Sequence, residues 1–150
     1  MGRVLLGVGL QEAKRVGNVR QFDKVCNYFD SHADEYDLAV NIVRVKEHEN
    51  HNSSGKEDII GLRDKARPCV MQGSIYELHG FTFNNPNMFP MGHEYHIIGG
   101  SLSYAVLALA LQMYGAGYNV KILEKYTFDR KGLDREARKI IEVYMPDILV

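Results

Sequence analysis

Two histidines and two carboxylates stand close together in the segment Glu47-His48-Glu49-Asn50-His51. Neutral imidazole nitrogens and carboxylate oxygens are ligands for zinc, and a zinc-bound water can act as a nucleophile in hydrolysis. His48 and His51 could therefore take part in a zinc site if further ligands came from other segments. The same composition is typical of a solvated polar loop. We favour that interpretation, with no cofactor bound.

A second candidate is the segment Gly99-Gly100-Ser101-Leu102-Ser103, which joins a strand-like apolar run to a helix-like apolar run. Backbone N–H groups at a helix start bind phosphates and carboxylates, and glycines let a ligand approach the backbone closely. Gly100, Ser101 and Ser103 are therefore predicted ligand contacts. The competing interpretation is that Ser101 or Ser103 only caps the helix.

The elements that must position these residues are short apolar runs alternating with helix-like stretches. The strand-like segments are residues 3–9, 38–45, 69–76, 96–100 and 119–123, with a possible sixth at 147–150. The helix-like segments are residues 19–33, 104–114 and 134–143. This alternation predicts an α/β fold, in which three α/β/α layers enclose a five- or six-stranded, mostly parallel, Rossmann-like sheet.

Sheets of this kind bind ligands at the carboxyl ends of their strands. The predicted carboxyl ends add four candidate ligand contacts to the glycine-serine segment: Gln11, Glu12, His79 and Phe81. His93 and His96 flank the start of the fourth strand, away from this edge, and are predicted to be structural.

Length and composition limit the classes of function. The chain has 150 residues, a net charge of −1, two cysteines and 45% hydrophobic residues. These values predict one domain over residues 1–150, in the cytoplasm, with no nucleic-acid or membrane partner. Cys26 lies on the apolar stripe of a predicted helix and Cys69 begins a predicted strand, so both are expected to be small buried hydrophobes.

Several segments resemble the isochorismatase-like (nicotinamidase-related) cysteine hydrolases. The strongest match is IIGGSLSYAVLALAL at residues 97–111, followed by GYNVKILE at residues 117–124. LLGVGLQ at residues 5–11 resembles the family's first strand, and GFTF at residues 80–83 resembles the segment after its third strand. The resemblance extends over nearly the whole chain and implies the same α/β fold.

The resemblance also implies a catalytic triad of Asp, Lys and Cys, with the thiolate at a helix start as nucleophile. In this sequence the Asp position falls on Gly9, the Lys position on Glu77 or Leu78, and the Cys position on Ala105. An acyl-enzyme cannot form without its nucleophile. We therefore expect a pseudoenzyme, a family member that lacks the triad.

The resulting hypothesis is a catalytically inactive protein that senses or sequesters a small planar or anionic ligand, for instance a nucleotide-like one, in the former active-site pocket. Two alternatives stay open. One is a divergent hydrolase acting on an amide or vinyl ether through a relocated nucleophile or a metal-activated water. The other is a non-enzymatic assembly or partner-binding scaffold. Family members are commonly oligomeric, and the apolar stretch 102–114 supports a homo-oligomer.

Overall fold

A computed structural model of the chain describes residues 2–10, 18–45, 74–79 and 89–150, with the backbone alone for residues 43–45 and 74–79. Its sheet has five parallel strands in the order β3-β2-β1-β4-β5. The strands are β1 (Arg3–Val8), β2 (Leu38–Val45), β3 (Ser74–His79), β4 (Glu94–Gly100) and β5 (Asn119–Phe128). The predicted fold class, an α/β protein with a mostly parallel sheet, is confirmed.

Strand β1 lies at the centre of the sheet and is buried on both faces after Arg3, which explains the unbroken apolar run from Val4 to Val8. Successive side chains point to opposite faces. Val4, Leu6 and Val8 join the core on one face, and Leu5 joins the core on the other.

Helix α1 (Val19–His32) covers the second of these faces. Its buried residues recur at helical spacing and include Phe22, Cys26 and Phe29. Cys26 is fully buried in this core, as predicted, whereas Cys69 lies outside the described residues. The Oδ1 atom of Asn18 accepts a hydrogen bond from the Gln21 N–H at 3.1 Å and so caps the helix.

The opposite face is covered by helices α2 (Leu107–Gly115) and α3 (Asp134–Tyr144). Alpha-helix α2 is preceded by a π-helical turn, Leu102–Val106, so the helical segment begins two residues earlier than the predicted helix at residue 104. Leu109 and Met113 pack into the core, but Leu111 and Tyr114 are 41% and 42% exposed. The apolar helix is therefore buried on one side only.

Strand β5 extends to Phe128 rather than ending at residue 123 as predicted. A bulge adds extra residues to β5 relative to β4, because Ile97 is opposite Ile122 but Gly99 is opposite Thr127. The predicted sixth strand is reduced to a single parallel bridge between Ile122 and Leu149. Among the described residues, no helix is long and apolar enough to cross a membrane.

At the amino ends of β1 and β4, four side chains form a chain of hydrogen bonds. His96 bonds Glu94 through Nε2 at 3.0 Å and the Tyr36 hydroxyl through Nδ1 at 2.7 Å. The Tyr36 hydroxyl also bonds the Tyr28 hydroxyl at 3.1 Å, and the Arg3 guanidinium lies 5.0 Å from the centre of the Tyr36 ring. We call these five residues the amino-end cluster. His96 lies at the amino end of the sheet, away from the carboxyl edge, as predicted.

Candidate functional site

The direction in which successive strands are added to the sheet reverses between β1 and β4. Strands β1, β2 and β3 follow one another to one side of this point, and β4 and β5 lie on the other. In open α/β sheets, the crevice outside the carboxyl ends of the two strands at such a switch point is the usual ligand site. Here the two strands end at Val8 and Gly100.

Glycines line this crevice because the backbones approach too closely for side chains. Gly9 has a φ of 66°, and a Cβ atom there would lie 2.5 Å from the Gly100 carbonyl oxygen. A Cβ atom at Gly100 would lie 2.5 Å from the Phe128 ring. The Gly100–Ser101 peptide bond is cis. Bulk at Gly100 would therefore disturb packing whether or not a ligand binds.

Ser101 is buried, and its side chain does not cap the helical turn that follows. Its Oγ atom instead accepts a hydrogen bond from the Arg130 backbone N–H at 3.0 Å. Its carbonyl oxygen accepts the N–H groups of Tyr104 and Val106, both at 3.1 Å. For Ser101, the helix-cap interpretation is wrong, because its hydroxyl oxygen bonds the backbone of the loop after β5 instead of the helix start.

The cap comes from Asp129, which was not among the predicted site residues. One carboxylate oxygen accepts the Ser103 N–H at 2.7 Å, and the other accepts the N–H groups of Lys131 and Leu133 at 2.9 and 3.3 Å. Burial alone would raise the pKa of Asp129, but hydrogen bonds from the Ser103 side chain and from these three N–H groups outweigh it and lower the pKa. Asp129 thus keeps a negative charge at the helix start, where the helix dipole favours it.

Arg130 brings a positive charge to the same place. Its Nη2 atom donates a hydrogen bond to the Gly9 carbonyl oxygen at 3.0 Å. Its guanidinium carbon lies 5.0 Å from the centre of the Phe128 ring, a cation–π contact. Arg130 was not among the predicted site residues, because the predicted fifth strand ended at residue 123, five residues before the end of β5. A strand extended to Phe128 would have placed Asp129 and Arg130 at the carboxyl edge.

Three of the predicted ligand contacts meet at this point. Gly100, Ser101 and Ser103 lie beside Gly9, Asp129 and Arg130, and we call these six residues the carboxyl-end site. His79 ends β3, and its backbone is opposite Val45 of β2. The remaining predicted residues, Gln11, Glu12, Phe81, His48 and His51, lie outside the described residues.

Of the positions that the resemblance aligns with the family's triad, Gly9 and Ala105 carry neither an acidic nor a nucleophilic side chain. Ala105 lies in the π-helical turn and is 8% exposed, and Gly9 follows β1. Glu77 and Leu78 lie in β3, opposite Val43 and Arg44. Over residues 2–10, 18–45, 74–79 and 89–150, no group of three or more His, Cys, Asp and Glu side chains could hold a metal ion.

Solved structures with the same fold come from several organisms. A MAR1 ribonuclease from Caenorhabditis elegans has a TM-score of 0.69 at 14% identity, covering 99% of this chain and 76% of that one. The nicotinamidase PncA from Bacillus subtilis has a TM-score of 0.67 at 14% identity, covering 100% and 99%. The yeast nicotinamidase Pnc1p has a TM-score of 0.66 at 12% identity, covering 99% of each chain.

At these identities the similarity shows the fold alone. No protein-family model matches the chain, and no curated protein sequence does so significantly.

Proposed function

We propose that this protein is a divergent isochorismatase-like protein that binds a small anionic, planar ligand at the carboxyl-end site without hydrolysing it. The observation that carries the proposal is the position of Arg130. Its guanidinium is held against the Gly9 carbonyl at the switch point of the sheet, where a ligand carboxylate or phosphate would find a charged, planar donor.

The loop after β5 supports the proposal because it holds Arg130 in place before any ligand arrives. Asp129 accepts three backbone N–H groups, and Ser101 accepts the Arg130 N–H. The Phe128 ring lies beside the guanidinium. A group that is already ordered loses little conformational entropy on binding, which favours affinity.

The residues present also favour binding over catalysis. Ala105 offers no nucleophile, and Gly9 offers no carboxylate. The Ser103 hydroxyl bonds Asp129, but the lowered pKa of that carboxylate makes it a poor general base. We therefore propose a pseudoenzyme in which the family's chemistry is lost and the pocket is kept.

Three further parts of the proposal rest on the sequence. The protein needs no cofactor, and zinc at His48 and His51 is the alternative. It acts in the cytoplasm as a homo-oligomer, for which the exposed side chains of Leu111 and Tyr114 on α2 offer an uncharged surface. Neither a nucleic acid nor a membrane is a partner.

The test begins with native mass spectrometry of untagged protein, which reports the bound small molecule, any metal and the subunit number together. The protein is then titrated by calorimetry with nicotinate and nicotinamide, a planar acid and its uncharged amide suggested by the nicotinamidase neighbours. We expect nicotinate to bind more tightly, and Arg130→Gln to weaken its binding by about tenfold or more because a charged hydrogen bond is lost.

Arg135→Gln is the matched control, since Arg135 is exposed on α3, and it should leave binding unchanged. Glutamine at residue 130 can still donate a hydrogen bond, so the variant separates charge from packing. Release of ammonia from nicotinamide, or equal affinity of the acid and the amide, would contradict the proposal.

A further inference from the structure

The outer edge of β5 already accepts an extended segment. The N–H of Ile122 donates to the Ile148 carbonyl at 2.7 Å, and the Val150 N–H donates to the Ile122 carbonyl at 2.9 Å. The N–H of Glu124 donates to the Val150 carbonyl at 3.0 Å. Residues 148–150 therefore run parallel to the first half of β5, as a strand would.

Beyond Glu124 the same edge faces a groove of about 650 Å³. This volume lies within the range of ligand-binding pockets. The groove follows the bulged half of β5 between the starts of α1 and α3. The lining residues that bear on its charge and hydrogen bonding are Gln21 and Lys24 of α1, Glu124 and Lys125 of β5, and Asp134 and Arg138 of α3.

Gln21 occupies the backbone acceptors of this half of the edge. Its Nε2 atom donates hydrogen bonds to the carbonyl oxygens of Lys125 and Thr127, at 3.1 and 2.9 Å. These are alternate residues, and a parallel neighbouring strand bonds the alternate residues of an edge. The glutamine side chain thus satisfies the acceptors that such a strand would use.

Two lysines line the groove, Lys24 from α1 and Lys125 from the adjoining part of β5. The ammonium groups of Lys24 and Lys125 lie 5.6 and 5.9 Å from the centre of the Tyr126 ring. Across the groove, Arg138 is paired with Glu124, and Asp129 is held by backbone N–H groups. Asp134 is the remaining carboxylate side chain among the lining residues. Lys24 and Lys125 therefore favour acidic side chains on a segment bound beside them.

We propose that this groove binds an extended, acidic peptide segment of a partner protein, which adds to the sheet as a parallel strand along residues 125–128 of β5. On binding, the backbone N–H groups of the peptide replace the Gln21 amide, and its acidic side chains face Lys24 and Lys125. The groove shares Asp129 with the carboxyl-end site, but the proposal does not require ligand binding there.

The test uses the full chain and two short, end-blocked peptides, one of alternating glutamate and valine and one of alternating lysine and valine. Backbone amide shifts are followed by NMR up to about 1 mM peptide, which detects even weak strand addition. We expect the glutamate peptide to shift the amides of residues 122–128 and 18–24. Shifts confined to residues 99–103 and 129–131, or no shifts, would overturn the proposal.

Two variants sharpen the result. Gln21→Ala frees the two carbonyl oxygens, so the glutamate peptide should bind about three- to tenfold more tightly. The double variant Lys24→Glu with Lys125→Glu should reverse the preference towards the lysine peptide. Lys139→Glu, an exposed charge reversal on α3, is the control and should change neither. Equal binding of both peptides, or weaker binding by Gln21→Ala, would contradict strand addition at this edge.

Discussion

Strands β1 and β4 run side by side, but their two ends use polar groups differently. In the amino-end cluster, side chains bond one another: Tyr36 joins His96 to Tyr28. In the carboxyl-end site, side chains bond the backbone: Arg130 donates to the Gly9 carbonyl, and Asp129 accepts the Ser103 N–H. The first arrangement fastens elements together, whereas the second brings charges to a glycine-lined crevice.

The two ends also differ in the charge of their central titratable group. At the amino end, burial raises the pKa of Tyr36, with a further increase from the hydrogen bond to Tyr28. The phenol therefore stays protonated. At the carboxyl end, hydrogen bonds overcome the effect of burial and lower the pKa of Asp129. One end thus stabilises a neutral group and the other an ionised group, which predicts opposite responses to pH.

The largest expected effect comes from filling the crevice. Gly99 has a φ of 112°, and a Cβ atom there would overlap the Val8 carbonyl. Gly99→Ala should therefore destabilise the protein by about 4 kcal/mol, from backbone strain and a clash inside the central strand pair. Chemical unfolding followed by circular dichroism measures the loss.

Gly92→Ala is the matched control, because Gly92 has a φ of 87° but no atom within 4 Å of its added Cβ. It should cost only about 1 kcal/mol, since positive φ is then the sole penalty. Equal losses in the two variants would show that the close approach of β1 and β4 is not what requires glycine at residue 99.

Much of the fold could be predicted from the sequence, because burial of β1 on both faces and the apolar stripe of α1 leave direct patterns. The bulged second half of β5 could not. Glu124, Lys125 and Thr127 interrupt its apolar pattern, and long-range bonds such as those from Gln21 hold it in place. Propensity and periodicity do not report such tertiary contacts.

The candidate site was only partly predictable for the same reason. The glycine-serine segment has a local signature, so Gly100, Ser101 and Ser103 could be named. Asp129 lies 26 residues from Ser103 in sequence, and Arg130 lies 121 residues from Gly9. Their roles depend on where β5 ends, and the charged residues around them are equally typical of a solvated surface.

An intermediate effect is expected at Asp129. Asp129→Asn replaces one of two carboxylate oxygens by an amide group that cannot accept the N–H groups it would face. The variant should lose about 2 kcal/mol at neutral pH, because hydrogen bonds to a charged acceptor are lost at the helix start. The comparison is the free energy of unfolding of both proteins across the acid range.

The stability loss caused by Asp129→Asn should depend on pH. Because the folded pKa of Asp129 is lowered, its stabilisation is present above the unfolded value of about 3.9 and is lost as pH falls through the folded value. The difference between wild type and variant should therefore shrink below about pH 4. Asp34→Asn, at an exposed position, should differ very little from wild type in its free energy of unfolding, both at neutral pH and in acid. If the difference in unfolding free energy between wild type and Asp129→Asn stayed constant as the pH fell, Asp129 would not act as an ionised cap.

The smallest effect is expected in the amino-end cluster. Tyr36→Phe removes the hydroxyl that joins His96 to Tyr28, at a cost of about 1 kcal/mol. Because the folded pKa of Tyr36 is raised, its stabilisation is present below the unfolded value of about 10 and is lost as pH rises towards the folded value. The deficit of Tyr36→Phe should therefore shrink in alkali, whereas that of Asp129→Asn shrinks in acid.

Ligand binding separates the two ends further. Tyr36→Phe should leave nicotinate affinity unchanged, because the amino-end cluster lies at the opposite ends of β1 and β4 from Arg130. Tyr114→Phe, at a 42% exposed position on α2, is the control for loss of a phenol and should alter neither stability nor binding. If Tyr36→Phe weakened nicotinate binding as much as Arg130→Gln, the two ends would be coupled through β1 and β4, and the division between a fastening end and a binding end would be wrong.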